Sequence, residues 1–453
     1  MFRILVMVVV LAQLVGCAGS TVFRPYPEQA ASWRQGMATE RTPLLRESLE
    51  RRARGINELL WVQEMGRLAQ LGGDHETSLD DFRRAIALYE EEDDAALIRL
   101  TGLGATGTAL LTNDNALPYR GEDHERILLH GFQALNYWAR EDLEGAAVEF
   151  RRVTEAQRRA EQEREREIAR AEERAREEDI DIHRLPEELG GLNTAAAEAR
   201  SSIENAWLYW LAGIFREGTG DYNNAIVDYR RALQIYPESA MIRADLERAQ
   251  EKQNRRYPRD RGLVVISYEQ ALVPPRREVA LPLPTRHGYV MVAFPTYDPA
   301  DFRSPRPLRA EMAGSRLETE PVARIDAMAA RALRERVPGM LLRQTLRARA
   351  KYEGQKRAGE DFGVLGAFLA QLYGILSERA DLRSWLSLPA NAQGVRMELE
   401  PGQHDLKLWT PMAGASVEVT VPVRPGGITV VRVSDAGGRA RAEVLPVLEE
   451  GRR

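Results

Sequence analysis

The sequence predicts an α+β multidomain protein: a solenoid of helical hairpins first, then a region of mixed strands and helices, then a small antiparallel β module. Three observations predict this order. Between residues 56 and 256, stretches with small residues, an aromatic side chain and a polar turn recur at matching offsets, which is how stacked helical hairpins read. Near Tyr257-Pro258 the composition shifts to β-branched and aromatic residues punctuated by prolines. From Val395 onward apolar residues alternate with polar ones between Pro-Gly turns. The expected segments are a leader over 1–16, a tether over 17–55, the helical domain over 56–256 with a charged helix at 155–179, the mixed region over 257–390 and the β module over 391–450.

The chain starts with a short basic stretch, Met1-Phe2-Arg3, and residues 4–15 are apolar except for Gln13. That is the length of a signal-peptide core and too short to span a bilayer comfortably. The only cysteine of the 453 residues, Cys17, follows at once in Leu14-Val15-Gly16-Cys17. These four residues resemble the lipobox of bacterial lipoproteins. The resemblance implies removal of 1–16 and acylation of Cys17, with membrane contact through the N-terminal lipid. Two or more acyl chains at about 0.8 kcal/mol per buried CH₂ make a stable anchor, where one does not. Ala18 in place of an aspartate implies the outer membrane, with the protein body facing the periplasm. An ordinary signal peptide or a buried N-terminal helix is the plainer alternative.

Without Cys17 the body holds no thiol, so neither a disulfide nor a thiol nucleophile is open to it. With 44% hydrophobic and 29% charged residues it reads as globular, and stability is expected from buried cores. A net charge of −5 without a basic stripe argues against a nucleic-acid partner. The most apolar later run, Val364 to Leu376, is shorter than the ~18 residues of a membrane helix and contains Gln371.

The clearest hairpin is "AWLYWLAGIFREGTGDYNNAIVDYRRALQIYPES", with Gly213 in the first helix, Gly220-Asp221-Tyr222 as the turn, and Ala225, Tyr229, Ala232 and Pro237 in and after the second. Small residues let two antiparallel helices approach, the aromatic fills the gap, and proline stops the second helix. The pattern resembles a tetratricopeptide repeat. A second copy places Gly66, Gly73-Asp74, Ser78, Phe82 and Ala85 at the same offsets. A third, degenerate copy keeps Ala134, Tyr137, Ala146, Phe150 and Val153, while Glu141 stands where the turn glycine belongs. Between these copies, 155–179 stacks opposite charges three and four residues apart and has only Ile168 as a large apolar residue, so a solvated helical extension is expected.

Several apparent chemical motifs lack their context. Gly102, Gly104 and Gly107 match G-x-G-x-x-G but follow a helical pattern and not a strand. His124 and His130 are six apart on a helix, about 120° around its axis, and do not share a metal. Asp361-Phe362-Gly363 has no phosphate loop or catalytic loop around it. No cofactor is expected. The loop over 112–125, with Tyr119 and Arg120 at its middle, is long enough to suit a partner-binding role, and an ordinary turn is its plain reading.

In the second half, "GLVVISYEQ", "REVALPLP" and "GYVMVAFPTY" read as strands. Helices are expected over Pro321 to Val337, Leu341 to Lys356 and Val364 to Arg379, the first ended by Pro338. Antiparallel strands are expected around Val395, Leu406, Val417 and Ile428. The lipobox, "LLTNDNALPYRGED" (Leu110 to Asp123), Arg347 to Tyr352 and Ala380 to Trp409 together resemble a family of uncharacterised bacterial lipoproteins with tetratricopeptide repeats and a β-rich C-terminal region.

The expected function is non-enzymatic: a lipid-anchored scaffold that binds another cell-envelope protein through its repeats. The register puts Trp207, Trp210 and Ile214 of the clear copy, and Leu128, Leu135 and Trp138 of the degenerate one, on first-helix positions that line a partner groove. The same large residues serve equally well as core. The alternative function is an enzyme acting on peptidoglycan through carboxylates such as Glu122 and Asp123, or a regulator of peptidoglycan synthesis.

Overall fold

The protein is described here by a computed structural model covering residues 24–37, 42–101, 115, 117–182, 189–285, 288–347, 379–411, 416–436 and 440–451. Two helices, α1 (Tyr26–Met37) and α2 (Thr42–Glu50), precede three helical pairs. These are α3 (Glu58–Gly72) with α4 (His75–Thr101), α5 (Asp123–Ala139) with α6 (Leu143–Glu177), and, after α7 (Gly190–Ala197), α8 (Ala206–Gly218) with α9 (Tyr222–Ile235). Helix α10 (Ala240–Gln253) packs on the last pair.

All three pairs turn through the same local structure. Gly73, Glu141 and Gly220 take the left-handed conformation at φ 80°, 64° and 87°. The next residue is aspartate each time, and the backbone N–H groups of Asp74, Asp142 and Asp221 donate five residues back, to Ala69, Tyr137 and Arg216. Each aspartate side chain then caps the second helix by accepting from the N–H of Thr77, Gly145 or Asn224. The degenerate copy therefore keeps the turn without its glycine. Within two of the pairs the backbones approach as the residue types require: a Cβ built on Gly66 or Gly213 would lie 2.5 Å from the ring of Phe82 or Tyr229. In the middle pair Ala134 and Phe150 are both fully buried.

The strands are β1 (Gly262–Gln270), β2 (Arg277–Thr285), β3 (Gly288–Thr296), β4 (Arg309–Met312), β5 (Ser315–Glu318) and β6 (Glu320–Arg324), then β7 (Asn391–Leu399), β8 (Gly402–Trp409), β9 (Ser416–Val423), β10 (Ile428–Asp435) and β11 (Ala440–Val444). A five-stranded sheet has the order β11-β10-β1-β7-β6, a four-stranded sheet the order β5-β4-β8-β9, and β2 pairs with β3 alone. Period-two alternation along β1 explains the layering. Leu263 and Val265 join the core shared with the helices, while Val264, Ile266 and Tyr268 face the four-stranded sheet. β10 repeats this, with Ile428 and Val430 toward the helices and Val431 and Val433 away. The result is helices on one face of the larger sheet and a second sheet on the other.

Four expectations change. The C-terminal strands do not form an antiparallel module of their own, because β10 pairs in parallel with β1, Leu263 opposite Ile428 through Gln270 opposite Asp435. The boundary at 256/257 is crossed by one continuous core that unites helix residues with β1, β6, β10 and Trp385. Pro321 lies in β6, and the following helix, α11, runs over 325–347 straight through Pro338. Helix α6 does continue into the charged segment, but not fully solvated: Ala171 and Ala175 pack on Leu342 and Leu346 of α11 with Ile180 and Ile182. Alanines at that spacing bury a narrow stripe where no large apolar residue is present. The expected helices beyond residue 347, Gly102 to Gly107 and Asp361 to Gly363 lie outside the described residues.

Candidate functional site

The first-helix positions read as a partner groove sit inside this chain's own fold. Trp207, Trp210, Ile214, Leu128, Leu135 and Trp138 are 0–2% exposed. The indole N–H of Trp207 donates to the Ser267 hydroxyl of β1 at 2.9 Å, that of Trp210 to Asp245 at 2.8 Å, and that of Trp138 to the Pro446 carbonyl at 2.9 Å. The first joins α8 to β1, the second joins α8 to α10, and the third joins α5 to the chain beyond β11.

The rest of that helical face carries a segment without helix or strand, residues 380–390, which lies between α11 and β7 and turns at Leu386-Ser387. Trp385 is fully buried, edge-on to Phe82 and Phe132 at 5.9 and 6.0 Å between ring centres. Two carboxylates from first helices hold the backbone around it. Glu64 of α3 accepts from the N–H groups of Leu386 at 2.7 Å and Ser387 at 3.1 Å and from the Tyr26 hydroxyl at 2.7 Å. Glu125 of α5 accepts from the Trp385 N–H at 2.8 Å and from Tyr119. Arg34 of α1 donates to the carbonyls of Leu386 and Val273. Farther along, the segment joins the sheet region by backbone bonds from Val273 to Leu388 and from Asp326 to Ala390.

Both glutamates are wholly enclosed. Burial pushes the Glu64 carboxyl up to about 7 although Ser387, Tyr26 and Leu386 donate to it. Burial and the neighbouring charge of Glu122 raise Glu125 to about 7, against the donors Tyr119 and Trp385. Glu64 occupies the inward face of a helix otherwise built of Leu60, Trp61 and Leu68, and an acid at such a position is the signal that residue typing alone passes over. Trp385 stands in a stretch without strand or helix period, so its role as an anchor was not legible from spacing.

Of the expected loop over 112–125, residues 112–114 and 116 lie outside the described residues, 123–125 belong to α5, and the rest divides between inside and outside. Tyr119 is buried with its hydroxyl on Glu125, whereas Arg120 is exposed and pairs with Glu92 at 2.9 Å. Glu122 is enclosed between Arg276 at 2.8 Å and Arg336 at 2.5 Å. Burial alone would raise its carboxyl, but Arg336 and Arg276 outweigh that and hold it well below the ordinary carboxylate range. Asp123 pairs with Arg164 at 2.8 Å, and burial raises its carboxyl. Glu122 therefore serves as the fixed anion of an ion-paired junction between α5, β2 and α11. Its neighbour His124 is buried, and burial lowers the imidazole to about 4. Among the described residues no group of three or more His, Cys, Asp or Glu side chains is arranged to hold a metal ion, and no helix is long and apolar enough to cross a membrane. Cys17 lies outside the described residues.

Open clefts at the surface of the described residues include the following two. One of about 370 Å³ runs between α4 and α6 over α5 and is lined by Glu90, Asp93, Asp94, Arg126, Arg159 and Glu163 among others. Asp93 bridges its walls by pairing with Arg126 at 2.8 Å and Arg159 at 3.7 Å. The other, of about 270 Å³, lies where Arg200, Tyr236 and Arg324 meet. Comparison of the chain with protein-family models, with curated proteins and with solved structures finds no match.

Proposed function

We propose that this protein is a lipid-anchored scaffold of the bacterial outer membrane, facing the periplasm, that binds another envelope protein through a tetratricopeptide-like helical solenoid and performs no catalysis itself. The observation that carries the reading is the recurrence of one turn: Gly73-Asp74, Glu141-Asp142 and Gly220-Asp221 share left-handed geometry, the same backbone bond and the same aspartate cap. Stacked copies of one supersecondary unit form an extended surface suited to protein partners. Leu14-Val15-Gly16-Cys17 supports the anchor. The peptidoglycan-enzyme reading draws no support from Glu122, whose carboxylate is committed to two arginines.

Labelled palmitate, membrane sedimentation and in-cell crosslinking of the native chain and its Cys17→Ser variant test both halves of the reading. Label and sedimentation that depend on Cys17, with crosslinks to one envelope protein from residues 58–253, support it. Sedimentation unchanged by the substitution removes the anchor, and crosslinks to no envelope protein remove the scaffold.

A further inference from the structure

We propose that residues 380–390 are the resident, exchangeable occupant of a peptide seat on the helical layer, and that the seat takes from a partner a non-helical segment presenting an indole side chain followed by a turn with free backbone N–H groups. The inference rests on the scaffold reading for the existence of a partner, but the seat itself is argued from geometry alone.

The N–H groups of three consecutive residues, Trp385 to Ser387, are satisfied by two side-chain carboxylates of other elements and not by a strand ladder. Such recognition reads the backbone first, and of the side chains beside the anchor Ser387 also takes part, bonding Glu64 and accepting from the Trp385 indole. Specificity comes chiefly from the slot in which Trp385 meets Phe82 and Phe132 edge-on. The seat belongs to the helices: Glu64 and Phe82 come from the first pair, Glu125 and Phe132 from the second. The seat does not satisfy every polar group of its resident, since the segment's own Ser384 hydroxyl is buried with no hydrogen-bond partner. Backbone-to-backbone bonds tie the segment to the sheet region only from Leu388 onward; before it the ties are side-chain bonds, Arg276 donating to the Arg383 carbonyl and Glu278 accepting from the Ala380 N–H, so Trp385 and its neighbours can leave by exchanging these without opening a ladder.

The test uses the full chain and a dye-labelled synthetic peptide with the sequence of residues 380–390, read by fluorescence anisotropy. Trp385→Ala vacates the slot in the chain. The expected result is that this variant, with a native circular-dichroism spectrum, binds the peptide at least tenfold more tightly than the unaltered chain does. A peptide with alanine in place of its tryptophan should bind about thirtyfold more weakly, the scale of losing one hot-spot anchor. Equal binding of the two peptides to a folded variant overturns the proposal. Should the variant fail to fold, hydrogen exchange on the unaltered chain decides: exchange at residues 385–387 faster than in α8 supports release, and exchange only with global unfolding overturns it. Peptide uptake without crosslinks in cells removes the partner and leaves the seat, whereas crosslinks without peptide uptake do the reverse.

Discussion

Gly213 of α8 lies under the phenol ring of Tyr229 of α9, so close that a Cβ at Gly213 would stand 2.5 Å from the ring. Tyr229 is fully buried and its hydroxyl donates to Glu217 at 2.7 Å, so the ring has no free direction in which to move. Gly213→Ala gains up to ~1 kcal/mol of helix propensity but forces the pair apart, which costs about 1–3 kcal/mol. The expected net is a loss of about 1–2 kcal/mol in chemical denaturation, and a neutral result would mean that the helices separate without resistance.

Glu141 holds a left-handed backbone at φ 64° in the turn where the other two pairs have glycine. A side chain in that conformation costs about 1–2 kcal/mol, and Glu141 is exposed. Glu141→Gly is therefore expected to stabilise the protein by about 1 kcal/mol, less than the full cost because glycine loses more entropy on folding. Matched urea melts of the two chains check it. A loss of stability would show that the Glu141 side chain contributes more than its backbone costs.

Between helices and sheet, Glu269 of β1 accepts from Arg432 of β10 at 2.6 Å and from Arg67 of α3, all three side chains being 1–5% exposed. Arg67 also stands over the ring of Phe132 at 4.2 Å. Glu269→Gln leaves two buried guanidinium groups without a counter-charge, and breaking a buried pair in this way costs about 3–5 kcal/mol. The midpoint of guanidinium denaturation is expected to fall accordingly, with the slope unchanged. A loss below about 1 kcal/mol would show that the triad is solvated in solution.

Stability should decline as pH rises through neutrality. Glu64 and Glu125, near 7 when folded, lie above their ordinary 4.5, and burial raises Asp228 to about 6 from 3.8. In each case the folded state binds the proton more tightly, so the stability they confer is full below the unfolded value and lost as pH climbs to the folded one. His124 acts in the opposite sense: burial lowers it to about 4, so its contribution grows as pH rises from 4 to 6.5. Three losses outweigh one gain. Glu217, taken to about 2 by Arg248 and Lys252 against the opposing effect of burial, changes stability only below 4.5. Urea melts should show a maximum near pH 4.5 and a fall by pH 8, flattened in the double variant Glu64→Gln, Glu125→Gln. A curve that rises to pH 8 would refute the enclosed state of these carboxyls.

Legibility followed the range of the interactions. Hairpin turns, aspartate caps and the Gly213–Tyr229 contact all lie within a single helical hairpin, and each depends on residue types at fixed short offsets, so they could be read from spacing. The parallel pairing of β10 with β1 joins residues more than a hundred and sixty positions apart, and nothing in either strand's alternation names its neighbour. The same holds for the candidate site. The repeat register names first-helix positions, but that Trp385 and residues 380–390 lie across them depends on a long-range fit of one indole and three N–H groups. Charge patterning misled in α6, because Ala171 and Ala175 bury a face that contains no large apolar residue.

Pro338-Gly339 has the composition of a helix end, yet α11 continues through both residues to 347. Leu333, Val337 and Leu341 explain why: they are 2%, 0% and 4% exposed and pack in one cluster with Leu281 of β2 and Phe294 of β3. Burial of three side chains on one helical face, each contributing about 1.5–3 kcal/mol, exceeds the ~3 kcal/mol that proline costs in a helix interior. Packing thus overrides the local preference without removing its cost. Pro338→Ala restores the missing N–H donor and relieves the clash of the ring with the carbonyl of Arg334, four residues earlier. The expected gain is about 1–3 kcal/mol in equilibrium denaturation, with helical content by circular dichroism unchanged because the helix already spans the site. A loss of stability instead would mean that the proline ring, half-buried beside Val337, contributes packing that alanine does not replace.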